Sequence, residues 1–365
     1  MSTNNRPRAR EVGVPFGYLP TGTYNAITDV AGVKVGHCTL IQGEGARQAG
    51  VGPIRTGVTA ILPHSGDMFE DKVAGVVHVI NGFGKAMGIA QIQELGTIET
   101  PILLTNTLNV GKAADALIDW MIERNPRIMS LNPMIGECND SSLNDIQGRH
   151  VHKEHVYEAL NRAESGLVAE GVVGGGTGMS CLGFKGGIGT SSRVLPPEMG
   201  GFTVGILVMA NFGRRQDLLI AGVPVGRELI RWPETDHPGD GSIMMILATD
   251  APLSTRQLTR VAKRCALGLS RTGSVASHGS GDFVVGFSTT NRQPNRSEQP
   301  VRTVQRLAED GRILTGLFDA TVEATEEAII NALFAAETTV GCDGTTRYGL
   351  PIDETLAILK KYNRI

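Results

Sequence analysis

Six short apolar runs limit what this chain can fold into: Val58–Leu62, Val76–Ile80, Ile102–Leu104, Phe202–Met209, Ile243–Ala248 and Phe283–Phe287. Each is rich in Val and Ile and bounded by Gly, Asn, Pro or Asp, so each reads as a buried strand. Amphipathic helices are expected between them, at Val110–Arg124, Glu154–Glu164, Thr255–Leu269 and about Ala320–Ala336. In the third, Ser254 and Gln257 form a capping box, and Leu258, Val261, Ala262, Cys265 and Leu269 share one face. In the fourth, Glu323, Glu326 and Glu327 fall near the positive N-terminal end. Strands and helices do not alternate as βα units, and the Gly-rich stretch Gly171–Arg193 reads as hairpins. A layered α/β sandwich is expected rather than a doubly wound sheet. Trp232–Gly241 and Thr289–Thr303 read as solvated polar loops.

Composition narrows the function classes. A formal net charge of −3 over 365 residues lacks the basic surplus that phosphate binding needs, so no nucleic-acid partner is expected. No apolar run approaches the roughly 18 residues of a membrane span, and the N-terminal MSTNNRPRAREVG has no apolar core of a signal peptide. The five Cys are scattered and never paired as CxxC, which fits buried thiols in a reducing compartment. The expectation is a soluble, cytoplasmic protein with no membrane partner.

The chemistry is suggested by one junction. The polar loop WPETDHPGDG ends at Gly241 and passes at once into Ser242 and a buried strand. If the chain breaks before Ser242, that residue supplies both a hydroxyl nucleophile and an α-amine of pKa about 7.7–8.0 as its general base. The same hydroxyl can make the break, attacking the Gly241 carbonyl by an N-to-O acyl shift. Gly at 241 offers no side chain to obstruct it. Taken alone, Gly-Ser also fits an ordinary turn. Ser280 and Asp282, two residues apart at a strand start, project to one face and can orient an amine, though SHGSGD can equally be a turn. Asn211 ends a strand where its amide can meet an oxyanion, or where it simply makes a turn.

These segments together resemble the DmpA family of self-processing aminopeptidases, which includes L-aminopeptidase/D-esterase-amidases and β-aminopeptidases. The resemblance runs through Asn25–His37, Arg55–Pro63, Gly136–Asp145, Phe184–Arg193, Val208–Gly213, Gly239–Leu253 and Ser280–Thr289. It implies an αββα four-layer sandwich resembling N-terminal nucleophile hydrolases, with a different strand order. It further implies one catalytic domain over 1–365, self-cleaved into an α chain 1–241 and a β chain 242–365, and tetramers of that pair. By the same resemblance Ser242 is the nucleophile and Ser280 with Asp282 orients its amine, where some relatives carry Glu at 282. Asn211 lines the oxyanion hole, and Glu137, then Asp140, supplies negative charge for a substrate amine. Relatives carry Tyr shortly after this Asp; Ser141 and Ser142 stand there here, which removes a phenol and widens the pocket. The implied substrates are short peptides, amides and esters with a free amine, hydrolysed without cofactor or metal.

Rival features are incomplete. Val173–Met179 lacks the third Gly of a dinucleotide fingerprint, and Gly178–Lys185 has Phe184 where a phosphate loop needs Lys. A nucleotide-binding or scaffold protein is therefore a weaker class. An ornithine-acetyltransferase-like acyltransferase also self-cleaves, but with Thr as nucleophile. His152 and His155 at i, i+3 read as a solvated helix start, His37 and His278 as structural, and Lys185 and the Arg214-Arg215 pair as surface or strand-edge charge.

Overall fold

The computed structural model describes residues 6–233, 241–309 and 311–365. Twelve strands matter to the architecture. They are β1 (Lys34–Gln42), β2 (Ile54–Leu62), β3 (Asp71–Gly82), β4 (Thr97–Ile98), β5 (Ile102–Asn106), β6 (Met134–Cys138), β7 (Ser180–Cys181), β8 (Phe184–Lys185), β9 (Gly187–Val194), β10 (Thr203–Asn211), β11 (Ser242–Thr249) and β12 (Gly281–Pro294). The helices are α1 (Ile89–Leu95), α2 (Val110–Arg124), α3 (Lys153–Asn161), α4 (Val225–Glu228), α5 (Thr255–Ala262), α6 (Cys265–Arg271), α7 (Gly311–Ala335) and α8 (Ile352–Lys361). One sheet has the order β1-β2-β5-β6 and the other β4-β3-β12-β11-β10-β9.

Period-two alternation stacks these sheets between helices. On β11, Met244, Ile246 and Ala248 pack with Ile61, Leu104 and Met209 between the sheets. Ile243, Met245 and Leu247 pack on the opposite face with Leu258, Val261, Leu317 and Ile329 of α5 and α7. The outer face of the smaller sheet meets α2 and α3 through Val58, Leu103, Leu117, Trp120 and Val156. Three cores between four layers make the αββα sandwich. The central strand β11 is apolar without interruption because both its faces are buried.

β11 and β12 are parallel, whereas β9–β10, β10–β11 and β12–β3 are antiparallel. A parallel pair needs a crossover, and α5 and α6 supply it. The capping box forms as expected, with Ser254 Oγ accepting from the Gln257 N–H at 3.3 Å and Gln257 Oε1 from the Ser254 N–H at 3.0 Å. The single helix expected there is interrupted after Ala262, yet all five residues of its apolar stripe stay in one core. Among the described residues, no helix is long and apolar enough to cross a membrane.

Several local expectations are corrected. The polar stretch after Thr289 is not loop throughout, because β12 continues to Pro294 and pairs Gln293 with Lys72. Most of the loop Trp232–Gly241 lies outside the described residues. α7 starts at Gly311, so Glu323, Glu326 and Glu327 lie in mid-helix rather than at a terminus. Buried carboxylates there need cations. Arg193 meets Glu323 at 2.9 Å and Glu327 at 2.7 Å, and Arg271 meets Glu326 at 3.2 Å. Arg215 is buried, not a surface charge, and donates to the carbonyls of Gly226 (3.2 Å) and Leu229 (3.0 Å) at the end of α4. Lys185 is fully buried as well. Within the Gly-rich stretch, β7 and β8 form a two-residue hairpin through Leu182 (φ 48°) and Gly183 (φ 78°), both in the left-handed region.

Candidate active site

Three strand ends meet at one edge of the larger sheet. Asn211, the last residue of β10, pairs with Ser242, the first of β11, and Ser242 pairs with Gly281, the first of β12. Alternation with Met209 and Met244 turns Asn211 and Ser242 toward the space between the sheets. Glu137, near the end of β6, reaches the same space from the other sheet. A cavity of about 290 Å³ opens there, lined by Gly241, Ser242, Asn211, Glu137 and Ser142 among others. Strand register thus brings the three strand ends together, and the packing of the two sheets adds Glu137.

The Ser242 hydroxyl donates to the Gly241 carbonyl at 2.7 Å, so the junction's nucleophile candidate lies against the bond in question. Gly241 is required sterically. A Cβ there would sit 2.3 Å from the Asn211 carbonyl oxygen and 2.6 Å from Phe212 Cα. Behind Ser242, Ser280 Oγ donates to Asp282 Oδ1 at 2.7 Å. Both residues are buried, and Asp282 Oδ2 has no hydrogen-bond partner. Burial pushes the Asp282 carboxyl up to about 6, against the lowering effect of the Ser280 hydroxyl.

The Asn211 amide is fixed in one orientation. Oδ1 accepts the Ser180 N–H at 2.8 Å, and Nδ2 donates to the Asn139 carbonyl at 3.0 Å. An amide nitrogen has two protons, so one Nδ2 proton is left for a further acceptor. The Ser180 N–H is carried by a segment that Lys185 ties down. Its ammonium donates to the carbonyls of Gly176 (3.2 Å), Met179 (2.8 Å) and Gly186 (2.8 Å), and burial pushes its pKa down to about 7. Glu137 accepts the Lys85 N–H at 2.9 Å and a hydrogen bond from the Thr107 hydroxyl, which hold its carboxylate at the cavity wall.

Other sequence candidates lie elsewhere. Asp140 is fully buried and bonded to Asn144 Nδ2 at 3.0 Å; burial pushes it up to about 7, and it does not line the cavity. His37 is buried beside Thr59 (Nδ1–Oγ1 2.9 Å) with its pKa pushed down to about 4 by burial. Neither it nor His278 lines the cavity. The His155 ring accepts the His152 N–H at 3.0 Å as a cap on α3. Gly174–Gly176 forms a short 3₁₀ turn whose N–H groups bind Thr39 and Thr59 hydroxyls, so this segment makes no phosphate cradle. Among the described residues no group of three His, Cys, Asp or Glu could hold a metal. Lys85, Thr107 and Arg347 line the cavity without having been read from sequence. Thr107 follows strand β5, and its use depends on a partner 30 residues away, which no local pattern announces.

Comparison with known proteins places this geometry in context. Residues 25–347 match the model of peptidase family S58. The beta-peptidyl aminopeptidase BapA of Sphingosinicella microcystinivorans is 46% identical over 98% of this chain and 93% of its own. A crystal structure of a Pyrococcus horikoshii protein superposes with a TM-score of 0.93 at 52% identity, covering 98% of this chain and 100% of that one. The L-aminopeptidase D-Ala-esterase/amidase of Ochrobactrum anthropi, described as a prototype for the serine aminopeptidases and a new variant of the Ntn hydrolase fold, superposes with a TM-score of 0.90. It is 40% identical, covering 98% and 99%.

Proposed function

The chain belongs to peptidase family S58, and on that premise we propose that it is a self-processing serine aminopeptidase. It cleaves itself between Gly241 and Ser242 into an α chain 1–241 and a β chain 242–365. The observation that carries this reading is the Ser242 hydroxyl lying 2.7 Å from the Gly241 carbonyl oxygen, at the mouth of a cavity that also holds Asn211 and Glu137.

In turnover the freed Ser242 amine, held by the Ser280–Asp282 pair, accepts the hydroxyl proton. The hydroxyl attacks the carbonyl of the substrate's N-terminal residue, and the remaining Nδ2 proton of Asn211 stabilises the oxyanion. The Ser242 ammonium returns the proton to the leaving amine or alcohol, and water resolves the acyl-enzyme. Glu137 pairs with the substrate's own ammonium, which restricts the enzyme to N-terminal residues of short peptides, amides and esters, with Ser142 shaping the pocket wall. Asp140, buried behind that wall, positions Asn144 and the neighbouring backbone rather than touching substrate. The same reading carries a tetramer of α/β pairs, on the family resemblance alone, and a cytoplasmic location, with buried thiols free of disulfides at all five Cys in support of the latter.

Mass spectrometry of the purified protein tests it. Two chains meeting at Gly241/Ser242 are expected, with a Ser242→Ala variant that stays whole and inactive. A wild type that remains one chain yet hydrolyses aminoacyl p-nitroanilides would overturn the reading.

A further inference from the structure

Scission of the chain's own peptide bond develops negative charge on the Gly241 carbonyl oxygen. Among the described residues, that oxygen accepts two hydrogen bonds, from Ser242 Oγ at 2.7 Å and from the Gly281 N–H at 3.0 Å. The first is consumed by the attack, because an Oγ bonded to carbon has no proton to donate. The second remains. It is set by the parallel β11–β12 ladder, in which Ser242 pairs with Gly281, so it needs no rearrangement as charge develops. A Cβ at 281 would press on Gly84 Cα and on the Phe83 carbonyl oxygen, both at 2.9 Å, rather than on Gly241, so an added methyl crowds the neighbouring loop and leaves the N–H facing the oxygen. Among the described residues the Asn211 amide makes no hydrogen bond to that oxygen in the intact chain: Nδ2 donates to the Asn139 carbonyl and Oδ1 accepts from the Ser180 N–H.

We propose that the protein uses separate oxyanion donors for its two reactions: the Gly281 main-chain N–H for self-cleavage, and the Asn211 amide for turnover of external substrates. This rests on the self-processing reading above and adds a catalytic group to it. The Oγ–carbon bond forms as charge collects on the oxygen facing Gly281. The Gly241 C–N bond then breaks, and the Oγ proton passes to the Ser242 nitrogen, leaving an amine and an ester. Water adds to the ester, Oγ regains a proton, and Gly241 departs as a carboxylate.

The test separates cleavage from turnover. Asn211→Ala and Asn211→Asp are purified, checked for folding by circular dichroism, and followed by mass spectrometry and by p-nitroanilide hydrolysis. Cleavage is expected within about threefold of wild type while turnover falls about 10²–10³-fold, the usual cost of one oxyanion donor. A folded Asn211→Asp that loses cleavage in step with turnover overturns the proposal. Gly281→Ala keeps the N–H and Gly281→Pro removes it, with the added cost of a ring Cδ set against the Gly241 oxygen. The first is expected to cleave and the second to stay whole, and equal cleavage by both would also overturn it. If Gly281→Pro does not fold, the Asn211 pair decides. Failure of the self-processing reading itself is distinguished by the wild type, which would then show no cleavage at all.

Discussion

Asp282 is an expensive residue to keep in an uncleaved chain. It is buried, one oxygen has no partner, and its carboxyl is pushed up to about 6. Between the ordinary Asp value near 3.9 and about 6 the folded chain holds a proton that the unfolded chain has released. Stability therefore falls as pH rises through that window. On the proposed reading, cleavage frees an amine at Ser242, next to the Ile243 with which Asp282 pairs, and an ammonium there would offset the buried charge. In the Ser242→Ala background, where no new terminus forms, Asp282→Asn is expected to stabilise the chain by about 1–3 kcal/mol at pH 7.5. The gain should fade towards pH 4, as measured by urea midpoints, and in the Ser242 background the same change should abolish turnover. On the proposed reading Glu137 has the opposite task, a side chain held at the cavity wall to meet a cationic partner. Glu137→Gln keeps a group able to accept from Thr107 and Lys85 but loses the charge. It should lower kcat/KM for free-amine substrates by about 10²-fold, in line with a lost charge-assisted hydrogen bond. The rate ratio of free-amine to N-acetylated p-nitroanilides should shrink with it.

At the scale of elements, the active site is a matter of where β10, β11 and β12 begin and end. Gly241 lies where the chain enters β11 against the backbone of Asn211 and Phe212, with no room for a Cβ. Gly241→Val must push the scissile carbonyl away from both Ser242 Oγ and the Gly281 N–H. It is expected to slow self-cleavage at least about 10²-fold, read by mass spectrometry over days, while β11 still pairs on both sides. An unbroken apolar run made β11 readable in the sequence, and a helical apolar stripe did so for α2 and the capped start of α5, because each is decided by neighbours along the chain. The strand ends Asn211, Ser242 and Ser280–Asp282 could be nominated for the same reason, each being a polar residue at the limit of an apolar run. What could not be read is settled across the chain. The extension of β12 needs Lys72 and Asp71 as partners, whereas the early start of α7 was legible, since Leu314 and Leu317 continue the stripe of Ala320 and Ala324. Buried Lys185 and Arg215 find backbone carbonyls that carry no sequence signal at all.

For the whole molecule, the proposed cut falls in an unusual place. β11 and β12 would belong to the β chain, yet they lie in the middle of the six-stranded sheet, flanked by β3 and β10 of the α chain. α7, also of the β chain, packs on β9 and β10. Arg193 of β9 is fully buried between Glu323 and Glu327, and Arg10 near the N-terminus meets Glu327 at 2.7 Å. The two products therefore share both ladders of the sheet and a buried ion network, and cleavage should not separate them. They should co-elute in gel filtration and part only in denaturant. The network itself can be probed without touching the active site. Arg193→Met leaves Glu323 and Glu327 buried with their common cation gone, and should cost about 3–5 kcal/mol in the urea midpoint of the cleaved pair. Restoring neutrality with Glu323→Gln in the same chain, which leaves Glu327 paired with Arg10, should recover much of that loss, because uncompensated charge rather than missing attraction is the larger penalty. A double variant as unstable as Arg193→Met alone would mean that packing of the guanidinium, not charge balance, holds α7 to the sheet.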